Sequence, residues 1–214
     1  MITYETQYNA PAYMQGRSGK QVEGIVVHHY GVMGSTYAGT IRTLTKPTAA
    51  ASAHFVIDAG KVAQLVALSD TAYHADNWPV NISTIGIECP PEATEEQVNT
   101  LVQLIAGLYR VYDRVLPLSG HCDHAPTECP GRYYALLASI QARATALWLS
   151  ANAPDPQQPA PDNVPDWAQD AVDWAIANGL VAGDGKRYGW DESVTLARAV
   201  TILHRYHQLT SKKE

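Results

Sequence analysis

The segment 151-ANAPDPQQPAPDNVP-165 limits what this chain can fold into more than any other stretch. Proline fixes φ and removes a backbone donor, and the Asp, Asn and Gln between the prolines offer little to bury. Such a stretch serves neither as a helix interior nor as a central strand. It reads as an extended linker dividing the 214 residues into a domain of residues 1–150, the linker 151–165 and a tail of residues 166–214. The tail is near the lower limit for independent folding.

Hydrophobic residues at 46% and charged residues at 17% are ordinary for a globular chain, so the larger segment has ample material for a core. The formal net charge is -6 and no run of Lys or Arg occurs. That gives no electrostatic footprint for nucleic acid or anionic lipid. The start, MITYETQYNAPAYMQGRSGK, lacks a basic n-region and an apolar h-region, and no later apolar run is long enough for a bilayer. The expectation is synthesis in the cytosol without a signal peptide and no membrane insertion. Three cysteines are an odd number. In a reducing compartment they read as ligand, nucleophile or small core residue, whereas outside the cell a Cys122–Cys129 bridge is the competing idea.

In the larger domain, 24-GIVVHHY-30 is a β-branched run with the signature of a buried strand. A hairpin follows: 54-HFVID-58, a turn at Ala59-Gly60, then 61-KVAQLVA-67. The next strand is 84-TIGIEC-89, ended by Pro90-Pro91. Between the first two strands, 35-STYAGTIRTLTKPTAAASA-53 predicts a helix at its start, broken by Pro47. In 94-TEEQVNTLVQLIAGLYRVYDRV-115, Thr94 and Gln97 have capping-box spacing. Val98, Leu101, Val102, Ile105, Leu108 and Tyr109 then recur at helical spacing. A last helix is predicted from about Tyr133 to Trp148. The fold class is α/β, a central mixed sheet flanked by helices. In the tail, 166-DWAQDAVDWAIANGL-180 and 195-TLARAVTILHRYHQL-209 predict a small helix-loop-helix unit. Trp167, Ala171, Trp174 and Ala175 share a face, Asn178-Gly179 forms the first C-cap, and Thr195 is the second N-cap.

Chemistry concentrates at His28 with His29, at Glu88, and in 120-GHCDHAPTECPGRY-133. Zinc takes imidazole nitrogen and thiolate sulfur in a tetrahedral shell, and a catalytic site leaves one position open. His28, His121 and Cys129 would supply three such ligands. On residue pattern alone a hydrogen-bonded core histidine and a buried cysteine are the commoner readings of His28 and Cys129.

The ordered words IVVHHYG, SAHFVIDAGKVAQLV, AYHA, NISTIGIE and GHCDHAPTECPG cover essentially residues 22–148. In them the chain resembles the zinc-dependent N-acetylmuramoyl-L-alanine amidases of the type 2 family, which includes phage endolysins and peptidoglycan recognition proteins. The resemblance implies Zn2+ on His28, His121 and Cys129, with Glu88 activating water. It puts His74 near the substrate groove and Thr127 where some relatives carry an oxyanion-stabilising Lys. Asp123 is expected to order the loop or orient His121, His29 to pack, and His124 and Glu128 to be solvated. The implied activity is hydrolysis of the amide between N-acetylmuramic acid and L-alanine in bacterial peptidoglycan, in an endolysin that acts on the wall after release from the host cytoplasm. A peptidoglycan-binding relative without catalysis is the alternative, although such relatives typically lose a ligand that this chain keeps. A thiol enzyme using Cys129 is the third reading. The tail resembles a single S-layer homology unit, with Leu196 and Arg198 where a TRAE-like motif has Arg and Glu. That implies binding to cell-wall polysaccharide, with homo-oligomerisation through the tail as the competing role.

Overall fold

In the computed structural model, residues 2–152, 168–181 and 196–210 are described. The chain divides into two units, Met1–Asn152 and Ala153–Glu214. Residues 153–165 of the expected linker, Trp167, the loop GDGKRYGWD, the Thr195 cap and the side chains of Leu196 and Arg198 lie outside the described residues, whereas the linker's first two residues, Ala151 and Asn152, end the last helix of the first unit.

The first unit is built on a six-stranded sheet. Its strands are β1 (Thr3–Glu5), β3 (Gly24–His29), β4 (Phe55–Asp58), β5 (Lys61–Gln64), β7 (Thr84–Cys89) and β8 (Leu118–Gly120). Their order is β1-β5-β4-β7-β3-β8, while β2 (Tyr13–Met14) and β6 (Thr71–Ala72) form a separate antiparallel pair. Strands β4, β7, β3 and β8 are mutually parallel; β5 returns antiparallel to β4 through the Ala59-Gly60 turn, where Gly60 has φ +69. Parallel pairing brings the carboxyl ends of four strands to one edge, the usual place for a site in such sheets. The mixed sheet with flanking helices agrees with the expected fold class.

Side-chain alternation splits the sheet into two chemically different faces. Ile25, Val27, Phe55, Ile57, Ile85 and Ile87 bury into one core with α3 (Glu95–Tyr112). The α3 residues Val98, Leu101, Val102, Ile105, Leu108 and Tyr109 are all buried there, as their spacing predicts. The helix starts at a full capping box: Thr94 Oγ1 accepts from Gln97 N, and Gln97 Oε1 accepts from Thr94 N at 2.8 Å. Leu101 has no exposed surface. Leu101→Ala is therefore expected to lower the unfolding free energy by about 2–5 kcal/mol in a urea melt.

The opposite face carries Val26 and His28 of β3, Thr84, Gly86 and Glu88 of β7, and His54 and Val56 at the start of β4. Val56 joins a smaller apolar cluster with Ile41 of α1 (Tyr37–Thr45). Helix α1 begins at the Thr36 cap and ends at Lys46, just before Pro47, because the residue before proline disfavours the helical region. The sequence reading missed α2 (Trp78–Ser83), a helix of 6 residues that is too short for a periodic signal but carries proline in its first turn. The last helix differs from expectation at its start. Residues Gly131–Leu136 form 3-10 turns, and α4 runs Leu137–Asn152.

In the second unit, α5 (Gln169–Ala177) ends at Gly179 in the left-handed region, with Leu180 N–H donating to Ala175 O, as the Asn178-Gly179 cap predicts. Val172 and Leu180 are its buried residues, whereas Trp174 is 51% exposed and Ala171 is exposed. Helix α6 spans Leu196–Thr210.

Candidate metal centre

Three elements deliver the centre. His28 is the penultimate residue of β3, His121 directly follows β8, and Cys129 lies further along the same loop. One ligand atom from each falls within 4.8 Å of the other two. His28 Nδ1 lies 3.7 Å from Cys129 Sγ, and the His28 and His121 ring centroids are 4.6 Å apart. The loop is closed by Cys122 N–H donating to Cys129 O at 2.8 Å. Gly120 has to be glycine here, because a Cβ would stand 2.6 Å from Pro130 Cδ and 2.8 Å from Tyr134 Cδ2. All three cysteines are free thiols, so the Cys122–Cys129 bridge is not formed.

The electrostatics suit a cation. Burial, then the neighbouring histidines His74 and His121, holds the His28 pKa well below the usual imidazole range. Burial also lowers the pKa of His121, against a hydrogen bond with the Ala75 backbone. Both rings are therefore neutral, the form that ligates metal. His121 Nε2 is buried with no hydrogen-bond partner. A buried acceptor without a donor is costly, and a cation would relieve it. Burial pushes the Cys129 thiol up to about 12, opposed by the His29 N–H that donates to its sulfur at 3.3 Å. A coordinated divalent ion reverses that preference, since coordinating thiols are deprotonated. The donor set of two imidazoles and a thiol thus fits zinc.

Glu88 pairs with His28 across β7 and β3. Its Oε2 is buried without a partner, and burial raises its pKa to about 7. That is the condition of a general base working near neutral pH. A groove beside it is lined by His29, Tyr30, Thr36, Thr40, Leu44 and Glu88. The hydroxyls of α1 in this wall had not been singled out in the sequence, because Thr on a short helix carries no distinctive pattern.

Residues 18–132, more than half of the chain, match the family model described as N-acetylmuramoyl-L-alanine amidase. The chain belongs to that amidase family. No curated protein matches it. Among solved structures, the catalytic domain of XlyA is similar at 22% identity and TM-score 0.56, covering 67% of this chain and 99% of that one. The PlyG catalytic domain matches at 14% identity and TM-score 0.59, covering 72% and 100%. The amidase LysC from Clostridium intestinale URNW matches at 21% and TM-score 0.51, covering 68% and 99%. At these identities the likeness establishes the amidase fold of the larger unit.

Within this amidase fold the remaining expected residues fall in different places. Thr127 is exposed, and its Oγ1 accepts from Cys129 N–H at 3.2 Å, leaving its hydroxyl hydrogen available. Asp123 accepts from Gly120 N–H and from the Tyr134 hydroxyl, both at 2.8 Å. Those contacts order the loop, and neither is with His121. His74, expected near the groove, is 8% exposed, with its Nδ1 3.0 Å from His28 Nε2 and its ring lying over Gly86. His124, expected to be solvated, is half-buried with Nε2 2.8 Å from Ser119 Oγ.

Proposed function

We propose that this amidase hydrolyses the amide between the lactyl group of N-acetylmuramic acid and L-alanine of the stem peptide, with Zn2+ held by His28, His121 and Cys129. The observation that carries this reading is the meeting of those three ligand atoms within 4.8 Å beside a carboxylate whose buried Oε2 has no other partner. Zinc bound there would supply Lewis acidity toward the scissile carbonyl and toward water. Glu88 takes the proton of the attacking water and returns it to the departing amine of L-alanine. The Thr127 hydroxyl donates to the oxyanion, and as a neutral donor it contributes less than the Lys of some relatives would. The exposed groove along α1 receives the stem peptide.

We read the protein as an endolysin, acting on the wall after release from the cell that made it. The tail, on its S-layer-homology-like words, is read as a module for wall polysaccharide or self-association. The test is digestion of purified peptidoglycan followed by end-group analysis. New L-alanine amino termini without new reducing sugar ends are the expected products. Wall binding with no bond cleaved would favour the non-catalytic alternative.

A further inference from the structure

The site face of the sheet buries polar side chains that the reaction leaves unused, among them His74, Asn81 and Thr84. Their hydrogen bonds have a direction that can be read from one end. Val80 O is a carbonyl and can only accept, so the Thr84 hydroxyl 2.7 Å away donates to it. Thr84 Oγ1 is then left to accept from His74 Nε2, at 3.3 Å. His74 is buried, and no carboxylate is among its ring partners to offset a charge, so the ring is neutral with its hydrogen on Nε2. Its Nδ1 must therefore accept, and 3.0 Å from it stands His28 Nε2. His28 accordingly carries its hydrogen on Nε2. The nitrogen left bare is Nδ1, which faces Cys129 Sγ at 3.7 Å. The opposite tautomer would place a hydrogen between His28 and Cys129 and close the position to a cation.

We propose that Thr84 and His74 are positioning residues for the metal: the relay Val80–Thr84–His74–His28 selects the one His28 tautomer that presents Nδ1 as a ligand. The proposal rests on the reading of His28 as a zinc ligand. Local structure supports the relay at each point. Asn81 Oδ1 accepts from the N–H groups of both His74 and Ala75, at 3.1 and 2.8 Å, and so fixes the segment that carries the ring. The ring then packs so closely on β7 that a Cβ at Gly86 would stand 2.5 Å from His74 Cγ. Glycine at 86 is thus required by the approach of the ring rather than by backbone conformation. The same arrangement accounts for the words AYHA and NISTIGIE, in which only Glu88 has a chemical role in hydrolysis.

The test is zinc affinity of the full chain, measured by competition with a chromophoric chelator and therefore separate from activity. His74→Phe keeps the ring and removes the acceptor; it is expected to bind zinc about 10–100-fold more weakly. In His74→Asn the side-chain oxygen can stand where Nδ1 stood, and much of the affinity is expected to return. Thr84→Val preserves shape without the hydroxyl and is expected to weaken binding about tenfold, with Thr84→Ser close to the parent. Should His74→Phe fail to fold, the Thr84 pair decides the question. Parent-like affinity in Thr84→Val, or equal losses in Thr84→Val and Thr84→Ser, overturns the relay. His28→Ala separates the two layers of the argument. If it abolishes binding while the Thr84 and His74 variants bind normally, the relay is wrong and the ligand stands; if it binds normally, the ligand assignment itself is wrong.

Discussion

Glu88→Gln is expected to lower kcat on peptidoglycan by about 10²–10⁴-fold while zinc binding stays close to that of the parent. Glutamine keeps the volume and polarity of the side chain but cannot take a proton. The expectation comes from where the residue sits: on β7, paired with His28, at the carboxyl edge of the parallel strands. Its Oε2 has no hydrogen-bond partner, and burial lifts its pKa to about 7, so no structural salt bridge accounts for a carboxylate there. Steady-state kinetics with metal analysis on the same preparations check this. Unchanged kcat would mean that another group moves the proton.

Cys129→Ala is expected to remove both zinc and activity, with a loss on the order of 10³-fold or more in kcat/KM. That figure corresponds to several kcal/mol of transition-state stabilisation supplied by a Lewis acid. Loss of activity with zinc still bound stoichiometrically would instead fit a thiol nucleophile at Cys129. The two variants thus differ in a way that activity alone would miss, since Glu88→Gln keeps the metal and Cys129→Ala does not. Circular dichroism of both should resemble the parent, because the large core under α3 involves neither side chain.

The elements read correctly from sequence are those whose physics is local. The capping box at Thr94 and the six apolar positions of α3 lie within one helix, and the Ala59-Gly60 hairpin lies within one turn. Strands β3 and β7 were legible as apolar runs, and His28, His121 and Cys129 through the ordered words around them. Other features had no local signal. Strand β8 is 3 residues long, and α2 only 6. The contacts of His74 are not legible because they are made by partners at a distance: His28 is 46 positions away in the chain. No periodicity encodes which ring nitrogen carries a hydrogen. In the tail, a shared helical face for Trp174 and its neighbours does not say which side is covered, and Val172 is buried while Trp174 is exposed.

The most direct measurement of the central claim is cleavage of purified peptidoglycan before chelation, after chelation, and after zinc is returned. The account predicts release of stem peptides with free L-alanine amino termini, its loss with the chelator, and its recovery on adding zinc to the parent but not to Cys129→Ala. Undiminished cleavage in the metal-free protein, or cleavage at a bond other than the one between muramic acid and L-alanine, would contradict it.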